Sequence, residues 1–176
     1  TSGEGGCIVT EDKDVLQDIR NSRLLGVIKD TEKRILGERS WEFDVTSQGW
    51  RYHMSDIMAA IGLEQIKRFP KMAKIRQRLA NQYDELLLGH STIRPLKRDY
   101  AAVVPHIYAV HLSKSIDRSI VQKKLLEKGV QTGIHYKPNH QLSFYSNLNV
   151  PTLPVTDDIF SGLLTLPLHP DIKNKD

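Results

Sequence analysis

The sequence predicts an α/β fold in which a largely helical first half is followed by a small α/β domain. Apolar residues recur at steps of three and four over 54–86, which is typical of amphipathic helices. Beyond Pro95 the chain becomes rich in β-branched and aromatic residues, which favour strands. The pattern there predicts a strand, a helix and a second strand, at 101–112, 117–128 and 130–136.

Gly89 marks the predicted domain boundary, because glycine commonly follows the last turn of a helix. We therefore expect two domains, 1–89 and 90–176, the second of them truncated at its end. A further helix at 157–164 and an extended segment at 166–170 complete the second domain, since two prolines in that segment are typical of an edge strand.

The first domain opens with a glycine-rich turn at 3–6, followed by a β-rich stretch at 7–10 that predicts a short strand. Asp12 or Asp14 can then cap a helix whose apolar positions begin at Val15.

Two helices are predicted after a long, partly ordered loop at 26–49. Ser55 can cap the first helix, and Pro70 is expected to end it. The second repeats its apolar positions from Met72 and ends near Gly89.

Composition sets broad limits on function. The chain has 25 Lys and Arg against 21 Asp and Glu, a net charge of +4 without a long basic block. This excess favours anionic partners only weakly and is equally typical of a solvated surface, so we expect no nucleic-acid partner. No window approaches the roughly 20 apolar residues of a membrane helix. The single cysteine, Cys7, fits a reducing compartment, so a soluble cytoplasmic protein is expected.

One candidate anion site lies at a helix entry, where Trp50, Arg51, Tyr52 and His53 stand directly before the first predicted long helix. Aromatic rings, a permanent guanidinium charge and the positive end of a helix dipole suit an anionic group such as phosphate. The structural alternative places Trp50 and Tyr52 in the core and pairs Arg51 with a carboxylate. On these residues alone, that alternative is favoured.

A second candidate site is the end of a predicted strand, where His135 and Tyr136 would meet a ligand. His135 and His140 are five residues apart, as are His106 and His111. No cysteine pair or acidic ligand accompanies either pair, so we expect no metal site.

Four motifs, taken in order, resemble the DegT/DnrJ family of nucleotide-sugar aminotransferases, which are fold-type I pyridoxal-phosphate (PLP) enzymes. They are TSGEGG (1–6), the helix entry GWRYHMSDIMAAIG (49–62) continued by GLEQI (62–66), GIHYKPNH (133–140) and LTLPLHP (164–170). The resemblance spans essentially the whole chain. It implies the C-terminal part of an aspartate aminotransferase-like fold, comprising the end of the large PLP-binding domain and the small α/β domain.

The resemblance also implies a site shared between the subunits of a homodimer. In the family, the lysine that forms the Schiff base with PLP lies a few residues upstream of the position of Thr1, so the catalytic lysine is expected outside this chain. A contact across the dimer, with the cofactor phosphate of a neighbouring subunit, is implied for Arg51 and His53, at positions that commonly carry Asn and Arg. Substrate contacts are implied for Trp50, Tyr52, His135 and Tyr136.

The implied reaction is a ping-pong transamination, in which glutamate donates its amino group to PLP and a nucleotide-linked keto-deoxysugar receives it. By itself the chain is then expected to be inactive. Two other hypotheses stay open. One is a PLP-dependent sugar dehydratase of the same fold, with histidine in place of the lysine; the other is a non-enzymatic anion-binding module.

Overall fold

The structure is a computed structural model that describes residues 1–28, 37, 43–146, 148 and 151–172. The chain forms two compact units, Thr1–Arg68 and Phe69–Asp176. The domain boundary expected at Gly89 stays a prediction. The loop predicted at 26–49 falls partly outside the described residues.

Five α-helices and three strands are formed by the described residues. The elements in chain order are α1 (Lys13–Ser22), α2 (Asp56–Leu86), β1 (Ile93–Pro95), β2 (Tyr108–Leu112), α3 (Arg118–Glu127), a 3-10 helix (Asn139–Gln141), α4 (Ser143–Ser146), α5 (Pro154–Gly162) and β3 (Leu163–Leu166). The strands form an antiparallel sheet in the order β1-β2-β3. No helix in the described ranges is both long and apolar enough to cross a membrane.

The two helices that begin in the first unit, α1 and α2, start at the caps that the sequence predicts. The Asp12 carboxylate accepts hydrogen bonds from the backbone N–H groups of Asp14 and Val15, at 2.9 and 3.1 Å. At the start of α2, the Ser55 hydroxyl oxygen accepts from the N–H of Met58 at 3.4 Å. Short polar side chains therefore set both starts, as helix capping requires.

The strand predicted at 7–10 is wrong, because these residues form no strand in the structure. Ile8 and Val9 are exposed, and so is Cys7. β-branched residues favour a strand only where a partner strand and an apolar surface are available to pack against.

The helix end predicted at Pro70 is also wrong, since α2 continues through this residue to Leu86. Proline has no N–H, so the carbonyl of Ile66 loses its helical partner. Ile66 is largely exposed, which lets water solvate that carbonyl. Beyond the proline, the helix gains burial at Ala73, Leu79 and Ala80.

The core of the second unit lies on one face of the sheet. Alternate residues of β2, namely Tyr108, Val110 and Leu112, are at most 2% exposed. They cluster with Leu79 and Ala80 from the second half of α2. The period of two in a strand therefore separates a core face from an opposite face of β2.

A polar network crosses this core. The Tyr108 hydroxyl donates to Asp84 Oδ1 at 2.6 Å, and the rings of Tyr108 and Tyr83 stack at 4.6 Å between centroids. The Tyr83 hydroxyl donates to the carbonyl of Pro167 at 3.0 Å. Burial, together with the hydrogen bond to Asp84, raises the pKa of Tyr108. The network joins α2 to β2 and to the segment after β3.

Helix α3 forms where the sequence predicts it. The Asp117 carboxylate accepts from the N–H of Ser119 at 2.7 Å, and Gly129 follows the helix with a φ of +79°. Arg118 donates to the carbonyls of Phe160 and Leu163, so it satisfies acceptors at the end of α5.

The strands are shorter than the sequence predicts, and one of them is shifted. Only the last part of the strand predicted at 101–112 forms. The strand predicted at 130–136 is reduced to one isolated backbone pair, Gly133 with Thr165. α5 begins at Pro154, before the predicted start, and β3 precedes most of the extended segment predicted at 166–170.

Two leucine substitutions test whether the face of β2 that carries Leu112 is the core of the second unit. Leu112→Ala should lower the free energy of unfolding by about 2–5 kcal/mol, because it leaves a cavity. Leu126→Ala makes the same change at a side chain that is 63% exposed, and should shift it by no more than about 0.5 kcal/mol. Urea unfolding measures both, and equal midpoints for the two variants would contradict the assignment.

Candidate functional site

The segment that enters α2 is held by backbone hydrogen bonds to the end of α1. The N–H of Trp50 donates to the carbonyl of Ser22 at 2.6 Å, and that of Tyr52 donates to the carbonyl of Arg23 at 2.9 Å. The N–H of Leu25 donates back to the carbonyl of Trp50 at 3.1 Å. The backbone of the candidate anion site is therefore fixed independently of its side chains.

Two glycines allow the segment before α2 to pass this close to the residues after α1. A Cβ atom added to Gly49 would overlap backbone atoms of Leu25 and Gly26, and one added to Gly26 would overlap the carbonyl of Ser47. Gly26 also has a φ of +75°, in the left-handed region that favours glycine. Any larger residue at either position would push the two segments apart.

The four candidate side chains of the helix entry are all exposed. The rings of Trp50 and Tyr52 stack with 6.2 Å between centroids and 12° between planes, and they are 47% and 75% exposed. Arg51 forms no ion pair with a described residue. The structural alternative, with both rings in the core, is therefore not observed, and the rings and the guanidinium face solvent.

The glycine turn at 3–6 packs on the first turns of α2. Gly3 and Gly5 have φ values of +85° and +142°. The Met58 sulfur lies 3.1 Å from the place where a Cβ atom on Gly3 would be, and the Met54 methyl group would overlap one on Gly5. Two motifs that are far apart in sequence thus meet at the start of α2.

The residues at this entry are suited to an anionic group such as a phosphate. A guanidinium at Arg51 and an imidazole at His53 precede the N-terminus of α2, whose free N–H groups and dipole also favour an anion. These are the donor types that bind phosphate in proteins.

His135 and Tyr136 lie in the second unit and form a compact aromatic pair. Their rings meet edge to face with 4.7 Å between centroids and 86° between planes, and the peptide bond that joins them is cis. Tyr136 is 72% exposed, whereas His135 is half-buried against Gly133. Both residues follow the backbone pair between Gly133 and Thr165 instead of ending a regular strand.

His140, Gln141 and Asp157 form a polar cluster that the sequence analysis missed. His140 Nε2 is 2.8 Å from Asp157 Oδ1, and the Gln141 side-chain amide donates to the same oxygen at 2.6 Å. His140 and Asp157 border a cavity of about 230 Å³. Its other lining residues are Tyr145, Leu148, Pro151, Thr152 and Leu153. Within the described ranges, no group of three or more His, Cys, Asp or Glu side chains is arranged to hold a metal ion.

Solved aminotransferases have the same fold. PseC of Helicobacter pylori, an aminotransferase of pseudaminic acid biosynthesis, is 24% identical with a TM-score of 0.84 over 99% of this chain and 46% of that one. Spr1654 of Streptococcus pneumoniae, solved in apo, PLP and PMP forms, is 28% identical in its PMP form, with a TM-score of 0.81 over 97% of this chain and 44% of that one. The predicted α/β fold, the C-terminal part of a fold-type I enzyme, is confirmed.

Sequence comparison gives the family. The UDP-4-amino-4,6-dideoxy-N-acetyl-beta-L-altrosamine transaminase of Campylobacter jejuni is 27% identical over 180 residues, which cover 100% of this chain and 46% of that protein. The chain thus spans about half the length of the curated relatives it matches. Residues 1–176 match the DegT/DnrJ/EryC1/StrS aminotransferase family, and the chain belongs to this family.

The contact between His140 and Asp157 should make stability depend on pH. Hydrogen bonds from His140 and then Gln141 hold the pKa of Asp157 below its ordinary value of 3.8. A lowered pKa means that the ionised carboxylate is stabilised in the folded state, so this contribution is present above pH 3.8 and is lost as the pH falls through the lowered pKa. Asp157→Asn should therefore reduce stability near neutrality, and the difference from the unaltered protein should vanish in acid.

Thermal midpoints across a pH series measure this effect. Asp18→Asn is the matched control, because it removes the same charge from an exposed position on α1 and should leave the midpoint unchanged. A difference between Asp157→Asn and the unaltered protein that persists in acid would contradict the assignment.

Proposed function

We propose that the complete protein is a PLP-dependent aminotransferase that moves an amino group from glutamate to a keto group on a nucleotide-linked sugar. Family membership and the named transaminase from Campylobacter jejuni support this proposal. The observation that carries it is the packing of the glycine turn on the first turns of α2, directly after the exposed helix entry at Arg51.

The cofactor, when bound, supplies the electron sink for transamination. Arg51 and His53 would hold its phosphate, with the N–H groups at the start of α2 as further donors. The lysine expected upstream of Thr1 would hold the cofactor of its own subunit, whereas Arg51 and His53 would reach the cofactor phosphate of a neighbouring subunit. The chain's own contribution here is to bind and orient the cofactor.

The substrate side of the proposal rests on aromatic and imidazole groups. Trp50 and Tyr52 present exposed, stacked rings that can cover a nucleobase or a sugar. His135 and Tyr136 would contact the sugar, where an imidazole can hydrogen-bond to oxygen atoms. The UDP-sugar named for the Campylobacter jejuni relative supports a nucleotide-linked substrate.

We further propose a homodimer that shares its sites between subunits and acts in the cytoplasm. Apolar side chains on the first half of α2 are exposed in this chain, which is typical of a surface that another protein surface covers. The most exposed of them are Ile57, Leu63 and Ile66. An exposed cysteine, Cys7, fits a reducing compartment.

The half-reaction with glutamate tests the proposal. The full-length protein should bind PLP, and glutamate added without a keto substrate should convert the cofactor to its amine form, since the two half-reactions of ping-pong transfer are separable. The absorbance spectrum of the bound cofactor follows the conversion. Failure of the full-length protein to bind PLP would refute the proposal.

The role of Arg51 has its own test. Arg51→Ala should weaken PLP binding by about 10-fold or more, because a hydrogen bond to a charged group contributes about 1.5–3 kcal/mol. The matched control is Arg78→Ala, which removes the same side chain from an exposed position on α2. Fluorescence titration with PLP gives both dissociation constants. An unchanged value for Arg51→Ala, or an equal loss in the control, would contradict a phosphate contact.

A further inference from the structure

Thr165 carries an unpartnered polar group inside the second unit. The residue is 5% exposed, and its Oγ1 atom has no hydrogen-bond partner among the described residues. A buried hydroxyl without a partner is energetically unfavourable, so such groups usually bind an ordered water or a ligand atom.

His135 presents a second atom of this kind. Its Nδ1 is buried and has no partner among the described residues, whereas its Nε2 is not buried in this way. The ring covers Gly133, with Nδ1 3.3 Å from the place where a Cβ atom on that glycine would lie. Nε2 is therefore the less buried of the two ring nitrogens.

The backbone brings the residues that carry these two atoms together. Gly133 and Thr165 exchange both of their backbone hydrogen bonds, at 3.0 and 2.8 Å. Directly opposed residues of an antiparallel pair point their Cβ atoms to the same side, about 5 Å apart. The His135 ring covers Gly133, so the ring and the Thr165 side chain lie on the same side of this backbone pair, and no hydrogen bond joins Nδ1 to the Thr165 hydroxyl. One water bonded to both atoms would satisfy them.

We propose that Thr165, through one bridging water, positions His135 as the Nε2–H tautomer, so that His135 donates a hydrogen bond to the substrate. The water donates to Nδ1 and accepts from the Thr165 hydroxyl. The direction of donation rests on the proposed function, because a nucleotide-linked sugar presents mainly oxygen acceptors. Thr165 is a positioning residue, since it acts through His135.

Nitrogen NMR of the full-length protein, labelled at histidine, tests the proposal at about pH 8.5, where imidazole is neutral. His135→Asn assigns the His135 signal. The unaltered protein should show Nδ1 as the unprotonated nitrogen; Thr165→Val, which preserves shape and removes the hydroxyl, should shift His135 to a mixture of tautomers. Thr165→Ser should restore the single tautomer, and the exposed His90 and His106 should be unchanged in all variants.

Two results would overturn the proposal: a protonated Nδ1 in the unaltered protein, or a tautomer in Thr165→Val that equals that of the unaltered protein. Thermal midpoints show that each variant is folded. Because the NMR measurement needs neither PLP nor turnover, it stands apart from the test of aminotransferase activity.

Discussion

The alternating burial of β2 is the constraint on which the second unit depends. Tyr108, Val110 and Leu112 pack on one face with the second half of α2. A slip of one residue would turn His111 into this core, so the hydrophobic side chains select one register. That register sets Thr165 opposite Ala109 with its side chain on the face away from the core, and the backbone of Gly133 pairs with Thr165 at the outer edge of β3. The surroundings of His135 are therefore set by packing on the other side of the sheet.

The first unit is organised in a different way. In its described residues, Gly26 alone is buried, and most large apolar side chains are exposed. Its local geometry comes from backbone hydrogen bonds and from close approaches that only glycine permits, such as that between Gly49 and Gly26. The position of Arg51 consequently depends more on the absence of side chains nearby than on the packing of large ones.

Features encoded within a few residues could be predicted, and features that need distant partners could not. The caps at Asp12 and Asp117 act on their own helices, and both helices begin as expected. The helix end predicted at Pro70 was wrong because the residues whose burial stabilises α2 lie beyond the proline. At the site, the sequence itself predicted that Arg51 and His53 directly precede a helix, whereas their role in binding phosphate was implied by the family resemblance. The contact of His140 with Asp157 joins residues 17 positions apart at the border of a cavity, and no periodic pattern signals it.

The order of the sheet has a consequence for biosynthesis. β1 and β2 are adjacent in sequence and can pair as soon as both have left the ribosome, but β3 follows only after α3 and α5. Until Leu166 has emerged, one edge of β2 lacks its neighbour and its apolar face is incomplete. Nascent chains in this interval expose an unpaired strand edge, which is the kind of surface that chaperones bind and that aggregates otherwise.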